Sequence, residues 1–235
     1  MSENSIAWTP GPVASRIAQR SLAKREAGYA GEVRRLLDAA LDVIRQRGTT
    51  MRPRVADIVA AAGLSNDAFY RHFPSKDALV AALLEDGTER LHSYLAHQME
   101  KEPTPERRVH RWVAGVLSQG VQDSAATTRA VLWNAGTLAE DTITGPPSPS
   151  GRLAVLLIPP FAELGSADAA FDATLVAHAT IGTLTDSLWR RTTPTDADID
   201  RTTAFCLRVV SPGGAMERTE PAVAARHRSR KRNGA

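Results

Sequence analysis

The 235-residue sequence predicts an all-α chain of about nine helices in two regions. Apolar residues recur at the helical period nearly throughout, and no run alternates with period two for long enough to make a strand. Gly, Pro and capping Ser residues stand where the apolar stripes stop. With 43% hydrophobic and 23% charged residues the composition is that of an ordinary globular protein, which excludes collagen, wholesale disorder and a coiled-coil rod. The length allows one or two units with a sizeable core. One cysteine, Cys206, excludes an intramolecular disulfide framework and a multi-thiolate zinc site, and fits a reducing cytoplasm. No basic segment followed by an apolar stretch opens the chain, and the longest apolar run, Leu153–Ala162, is interrupted by Pro159 and Pro160. A soluble, cytoplasmic protein with no membrane partner is expected.

Taken in order, residues 1–31 are expected to form a flexible basic extension in which Ile17–Ala27 can become helical on meeting a partner. Val33, Leu36, Leu37, Ala40, Leu41 and Ile44 form one helical stripe, ended at Arg47 and Gly48, where glycine supplies the cap. Val55, Ile58, Val59 and Ala62 form a second stripe, stopped by Gly63. Ser65 then caps a third helix reaching Phe73, and Ser75 caps a fourth, carrying Ala78, Leu79, Leu83 and Leu84 and running to about Met99. Further helices are expected over about 105–119, 124–138, 151–164, 168–191 and 196–211. The run Gly145–Gly151 is too rich in Pro and Gly to be regular, and residues 212–235 read as a flexible basic tail.

Charge is unevenly distributed behind a net +3. Residues 13–35 hold six Arg or Lys, residues 226–232 hold five, and Glu140–Phe205 holds nine acidic residues against four basic. Basic ends of this kind suit a polyanionic partner, though solvated charge explains them equally well.

Residues 55–73 carry a helix, a Gly permitted in the left-handed conformation, an apolar residue, a capping Ser and a second short helix, the parts of a helix-turn-helix. Ile58, Val59, Leu64, Phe69 and Phe73 are its expected inward wedges. A Gly-Leu-Ser turn also occurs in ordinary bundles, but the pattern continues. Ala56, Ile58, Ala62, Gly63, Leu64, Ser65, Tyr70, Phe73, Ser75, Lys76 and Leu79 closely resemble the signature of the TetR (tetracycline repressor) family of bacterial transcription regulators over about residues 32–85. Two departures are visible: Met51–Arg54 stands where a Ser or Thr usually caps the second helix, and bulky Phe69 precedes Tyr70.

The resemblance implies a three-helix DNA-binding domain at 32–78 and an all-helical effector-binding and dimerisation domain at 79–211. On chemistry, Asn66, Asp67 and Arg71 are candidate readers of adenine, cytosine and guanine. Tyr70, His72 and Lys76 lie where the family clamps phosphates, Arg52 and Arg54 would reach the flanking backbone, and Ser65 and Phe69 complete the DNA-facing set. The implied partners are double-stranded operator DNA, a second copy of the chain and an unidentified, largely hydrophobic effector that releases a repressor from a palindrome. An effector-independent activator or DNA-organising dimer is the alternative. Remoter is a metal-dependent helical-bundle enzyme using Glu85, Glu89 and His92, a spacing that a charged solvent face explains better. No catalytic residue, metal or cofactor is assigned.

For the dimer, Phe171, Leu175, His178, Gly182, Thr185 and Trp189 mark one face of the penultimate helix and Ile199, Thr203, Cys206 and Val210 a matching face of the last. Intrachain core is the competing account. For the effector, Trp112, Val116, Leu132, Trp133, Leu156, Phe161 and His178 are candidate walls, each also compatible with plain core. Pro159 and Pro160 are expected to break or kink their helix, the acidic middle leans towards a cationic ligand, and the fourth helix is the expected lever between the domains.

Overall fold

The structure, a computed structural model, describes residues 12–135 and 149–210. α1 spans Pro12–Arg47, α2 Val55–Ala62, α3 Asn66–His72, α4 Lys76–Met99, α5 Pro105–Leu117 and α6 Gln122–Ala135. α7 (Pro149–Ala154) continues through a 3-10 turn, Val155–Leu157, into α8 (Ile158–Glu163), and α9 (Ala169–Arg190) and α10 (Asp196–Val210) follow. With α7 and α8 counted as one interrupted helix, nine helices stand among the described residues, which contain no strand.

Two boundaries differ from expectation for local reasons. α1 begins at Pro12, so residues 12–31, expected within a flexible extension, are helical and continuous with the apolar stripe that follows. The segment is rich in Ala and Arg, both good helix formers, and its residues from Arg16 to Gly31 are exposed. Pro159 and Pro160 interrupt the helix expected over 151–164, as anticipated: α7 passes into the 3-10 turn Val155–Leu157, and the prolines then stand in the first turn of α8, where a missing N–H costs nothing. The expected irregular run ends early, because α7 already includes Pro149–Gly151. Its first part, the end of the helix expected to 138, residues 1–11 and the basic tail lie outside the described residues.

Side-chain caps fix most starts. Ser65, Ser75, Thr104 and Asp168 accept the amide N–H groups of Ala68, Ala78, Arg107 and Phe171. At α2, where a hydroxyl is missing, the Arg54 N–H donates to Asp57 Oδ2 at 3.1 Å, and the Arg47 guanidinium lies 2.6 Å from the same oxygen.

Two apolar cores result. One joins Leu36, Ala40 and Ile44 of α1 to Ile58, Phe69, Phe73, Leu79 and Leu83. The other gathers Leu95 and Met99 of α4 with Trp112, Val116, Leu157, Phe161, Val176, Leu188, Cys206 and Val210. α4 enters both, and at its far end packs so closely on α5 that Gly115 leaves no room for a Cβ beside Leu95 Cδ2. α6 is a second joint: Ala130 is fully buried in the first core although α6 falls in the second of the two expected domains, the body of the molecule. No helix among the described residues is long and apolar enough to cross a membrane.

Candidate nucleic-acid interface and effector cavity

The helix-turn-helix is built by its turn. Gly63 adopts φ 63°, ψ 36°, which only glycine enters without strain, and the Leu64 N–H returns to Val59 O at 2.9 Å to close the end of α2. Ser65 then starts α3, and Phe69 and Phe73 on its inner side bury against α1 and α2. The outer side presents Asn66, Asp67 and Tyr70, the last 57% exposed. Lys76 is half-buried at the start of α4 and Arg54 exposed at the start of α2. These residues, with the Ser65 cap, lie on the helix-turn-helix and the first turn of α4.

Four of the expected DNA-facing residues are otherwise engaged. Phe69 is fully buried, so it is a core wedge and not a surface residue. The Arg52 guanidinium stacks over the Trp133 ring of α6, 5.3 Å from its centroid, and so reaches towards the body. The His72 Nε2–H donates to Glu32 Oε2 at 2.7 Å, and Arg71 Nη1 donates to the same oxygen at 3.2 Å. These bonds, His72's first, hold the Glu32 carboxyl below the usual carboxylate range. Sequence patterning missed Glu32 because its partners lie about forty positions away.

A cavity of about 490 Å³ opens between α1, α4, α5, α6, α7 and α9. Leu83, Leu91, Val116, Val131, Leu132, Ile181 and Leu184 make its apolar walls; Thr88, Tyr94, Gln119, Thr127, Thr128 and Thr185 add polar groups, with Arg45 and Arg90 also in the wall. Of the expected wall residues only Val116 and Leu132 are here. Trp112 and Phe161 are sealed in the core, the indole N–H donating to Leu153 O at 3.1 Å, and Leu156 packs against the same core. Trp133 faces Arg52, while His178 is exposed, donating from Nδ1 to Thr174 O and accepting from Ser150 Oγ at 3.0 Å. Among the described residues no Asp or Glu lines the cavity, and its charged groups are Arg45 and Arg90. Hydroxyls interrupting apolar helix faces, as at Thr88 and Thr185, were the signal available in the sequence.

The last two helices leave one side open. On α9, Phe171, Leu175 and Trp189 are 58%, 51% and 47% exposed, with His178 and Gly182 between them. Thr185 turns instead to the cavity wall. On α10 the expectation is reversed: Thr203, Cys206 and Val210 are buried against α5 and α9 and Ile199 packs on the same core, so the open side of α10 carries Arg201 and Phe205. Burial pushes the Cys206 thiol up to about 11. Two sides of an amphipathic helix share one period, and here the core took the Cys206 side.

The residues suggested for a metal do not converge. Glu89 is held by Arg152 through two bonds of 2.8 Å, which lower its carboxyl, and His92 Nδ1 stands 4.0 Å from it. Among the described residues no group of three His, Cys, Asp or Glu is placed to hold a metal ion.

Residues 36–83 match the family of bacterial regulatory proteins, tetR family. The uncharacterized HTH-type transcriptional regulator YvdT of Bacillus subtilis (strain 168) is 38% identical over 56 residues, 24% of this chain and 28% of YvdT, so the match spans under a third of that relative. Among solved structures, reduced E. coli NemR superposes with a TM-score of 0.59 at 19% identity, over 76% of this chain and 96% of NemR. RolR in complex with resorcinol gives 0.53 at 17% identity, over 78% and 89%. At such identities these two show a common fold. The likeness to the tetR family of bacterial regulatory proteins is thus carried by residues 36–83, about a fifth of the chain.

Proposed function

We propose that the chain is a DNA-binding transcription regulator: a homodimeric repressor that grips a palindromic operator through two copies of α3 and lets go when a small, largely hydrophobic effector fills the cavity. The observation that carries this reading is the helix-turn-helix itself, with Gly63 and Ser65 setting the turn and Asn66, Asp67 and Tyr70 presented outward on a helix whose inner side is fully packed. A helix so presented fits a major groove about 12 Å wide, and two of them on a two-fold axis meet successive grooves about 34 Å apart. The open side of α9 and α10 suits that axis.

Release follows from differential binding. The cavity has walls on α1 (Leu41, Arg45) and on α6 (Thr127, Val131), so an occupant favours one spacing of these helices over another. RolR, of the same fold, was solved with resorcinol bound, which supports a small, largely apolar occupant. α6 is joined to the DNA-binding core by buried Ala130, by the Arg45 Nε–H bond to Thr127 Oγ1 at 3.2 Å and by Arg52 over Trp133, so it shares the lever's work with α4. The helical extension, with Arg16, Arg20 and Lys24 one turn apart, adds phosphate contacts beside the half-site.

The test is selection of genomic fragments on the purified chain, followed by footprinting of what is retained. An inverted repeat protected in each half is expected. Protection of no repeat in any fragment overturns the reading.

A further inference from the structure

The geometry points to Glu32 as a positioning residue of the recognition helix: it anchors the C-terminal end of α3 through His72 and keeps Arg71 from contributing to DNA contact. The inference rests on the DNA-binding reading above and goes beyond it by removing a base reader and adding a specificity determinant on another helix.

α3 has seven residues, too few to hold a helix alone, so its direction depends on what ties its ends. Ser65 and the Gly63 turn tie the first end. At the other, Glu32 Oε2 takes the His72 ring N–H at 2.7 Å and an Arg71 N–H at 3.2 Å, and the Tyr29 ring meets the His72 ring edge-on with centroids 5.7 Å apart. The His72 side chain is only 9% exposed and Glu32 25%, so this tie is part of the packing between α1 and α3. Arg71 lies on the rim at 48% exposure, its charge offset by the carboxylate.

Two consequences follow. Base edges are met by the N-terminal residues of a recognition helix, so an arginine in its last turn chiefly adds non-specific charge. An acidic group beside it cancels that charge and also repels phosphate. Affinity for arbitrary sequence therefore falls while the readers at Asn66 and Asp67 are untouched, which raises discrimination.

The experiment measures binding of the full chain, as wild type, Glu32→Gln, Arg71→Ala and the double variant, to a duplex recovered by genomic selection and to a scrambled duplex, across 50 to 200 mM NaCl. Thermal melts verify folding of each. Arg71→Ala alone is expected to change scrambled-duplex affinity by less than about threefold with the salt slope unaltered. Glu32→Gln, which leaves His72 an oxygen to bond, is expected to raise scrambled-duplex affinity about tenfold and steepen the slope by about one. The double variant returns both to the wild-type values. A tenfold loss with a flatter slope for Arg71→Ala alone would put Arg71 on DNA and overturn the inference, as would an unchanged slope in Glu32→Gln. Failure of the wild type to bind any duplex would instead overturn the DNA-binding reading and this inference with it.

Discussion

The open side of α9 gives a prediction whose size can be worked out. Leu175 is 51% exposed in the single chain, between Phe171 and Trp189. Fully burying a leucine side chain stabilises by about 1.5–3 kcal/mol, so covering its exposed half contributes about 1 kcal/mol. A two-fold axis counts the residue twice, giving about 2 kcal/mol per dimer. Leu175→Arg removes that contribution and brings two like charges to the axis. At about 1.4 kcal/mol per factor of ten, the dimer should weaken by at least about 30-fold. Sedimentation equilibrium over a concentration series reads the dissociation constant directly. Val155→Arg is the control, because Val155 is 49% exposed on the 3-10 turn and belongs to neither α9 nor α10. An unchanged constant for Leu175→Arg, or a wild-type chain that stays monomeric at tens of micromolar, would refute the reasoning.

Other outcomes follow from single contacts. Ser65→Ala removes the cap of α3 and should cost about 1 kcal/mol in denaturant unfolding, with a larger loss of operator affinity because the misplaced helix carries the readers. Asp198 receives the Thr195 hydroxyl and amide at 2.7 and 2.9 Å and a bond from Arg201, which hold its carboxyl down at about 2. A folded value below the unfolded one stabilises the fold above about pH 4 and loses that effect as pH falls towards 2, so melts of Asp198→Asn should show a shallower fall over that interval than the wild type. Equal slopes would dismiss the role. Cys206, buried and raised to about 11, should resist iodoacetamide at pH 8 in the folded chain and react promptly in denaturant; rapid labelling without denaturant would contradict its burial.

How much was legible in the sequence depended on range. The ends of α2, α3 and α4 are set by groups within four residues of each other, Gly63 with Val59, Ser65 with Ala68 and Ser75 with Ala78, so pattern and turn chemistry located them. The extension before residue 32 reads as flexible in the sequence, since a helix with no apolar side to bury has no stripe to display, yet residues 12–31 are helical. Nor can a period say which of two compatible sides meets the core: Thr203 and Cys206 were given to the dimer face and went inside, and Phe69, named both an inward wedge and a DNA-facing residue, is the wedge.

The sequence by itself determined that this chain is helical, where most helices begin and end, and that a helix-turn-helix lies at residues 55–73, because hydrogen bonds and caps of that kind close over a few residues. Tertiary structure decided the rest. Glu32 meets Arg71 and His72, Arg52 meets Trp133, and a cavity opens between six helices only once segments about forty to a hundred and forty residues apart are packed together. Such meetings depend on the relative placement of whole helices, which the sum of many weak apolar contacts decides and no local pattern records.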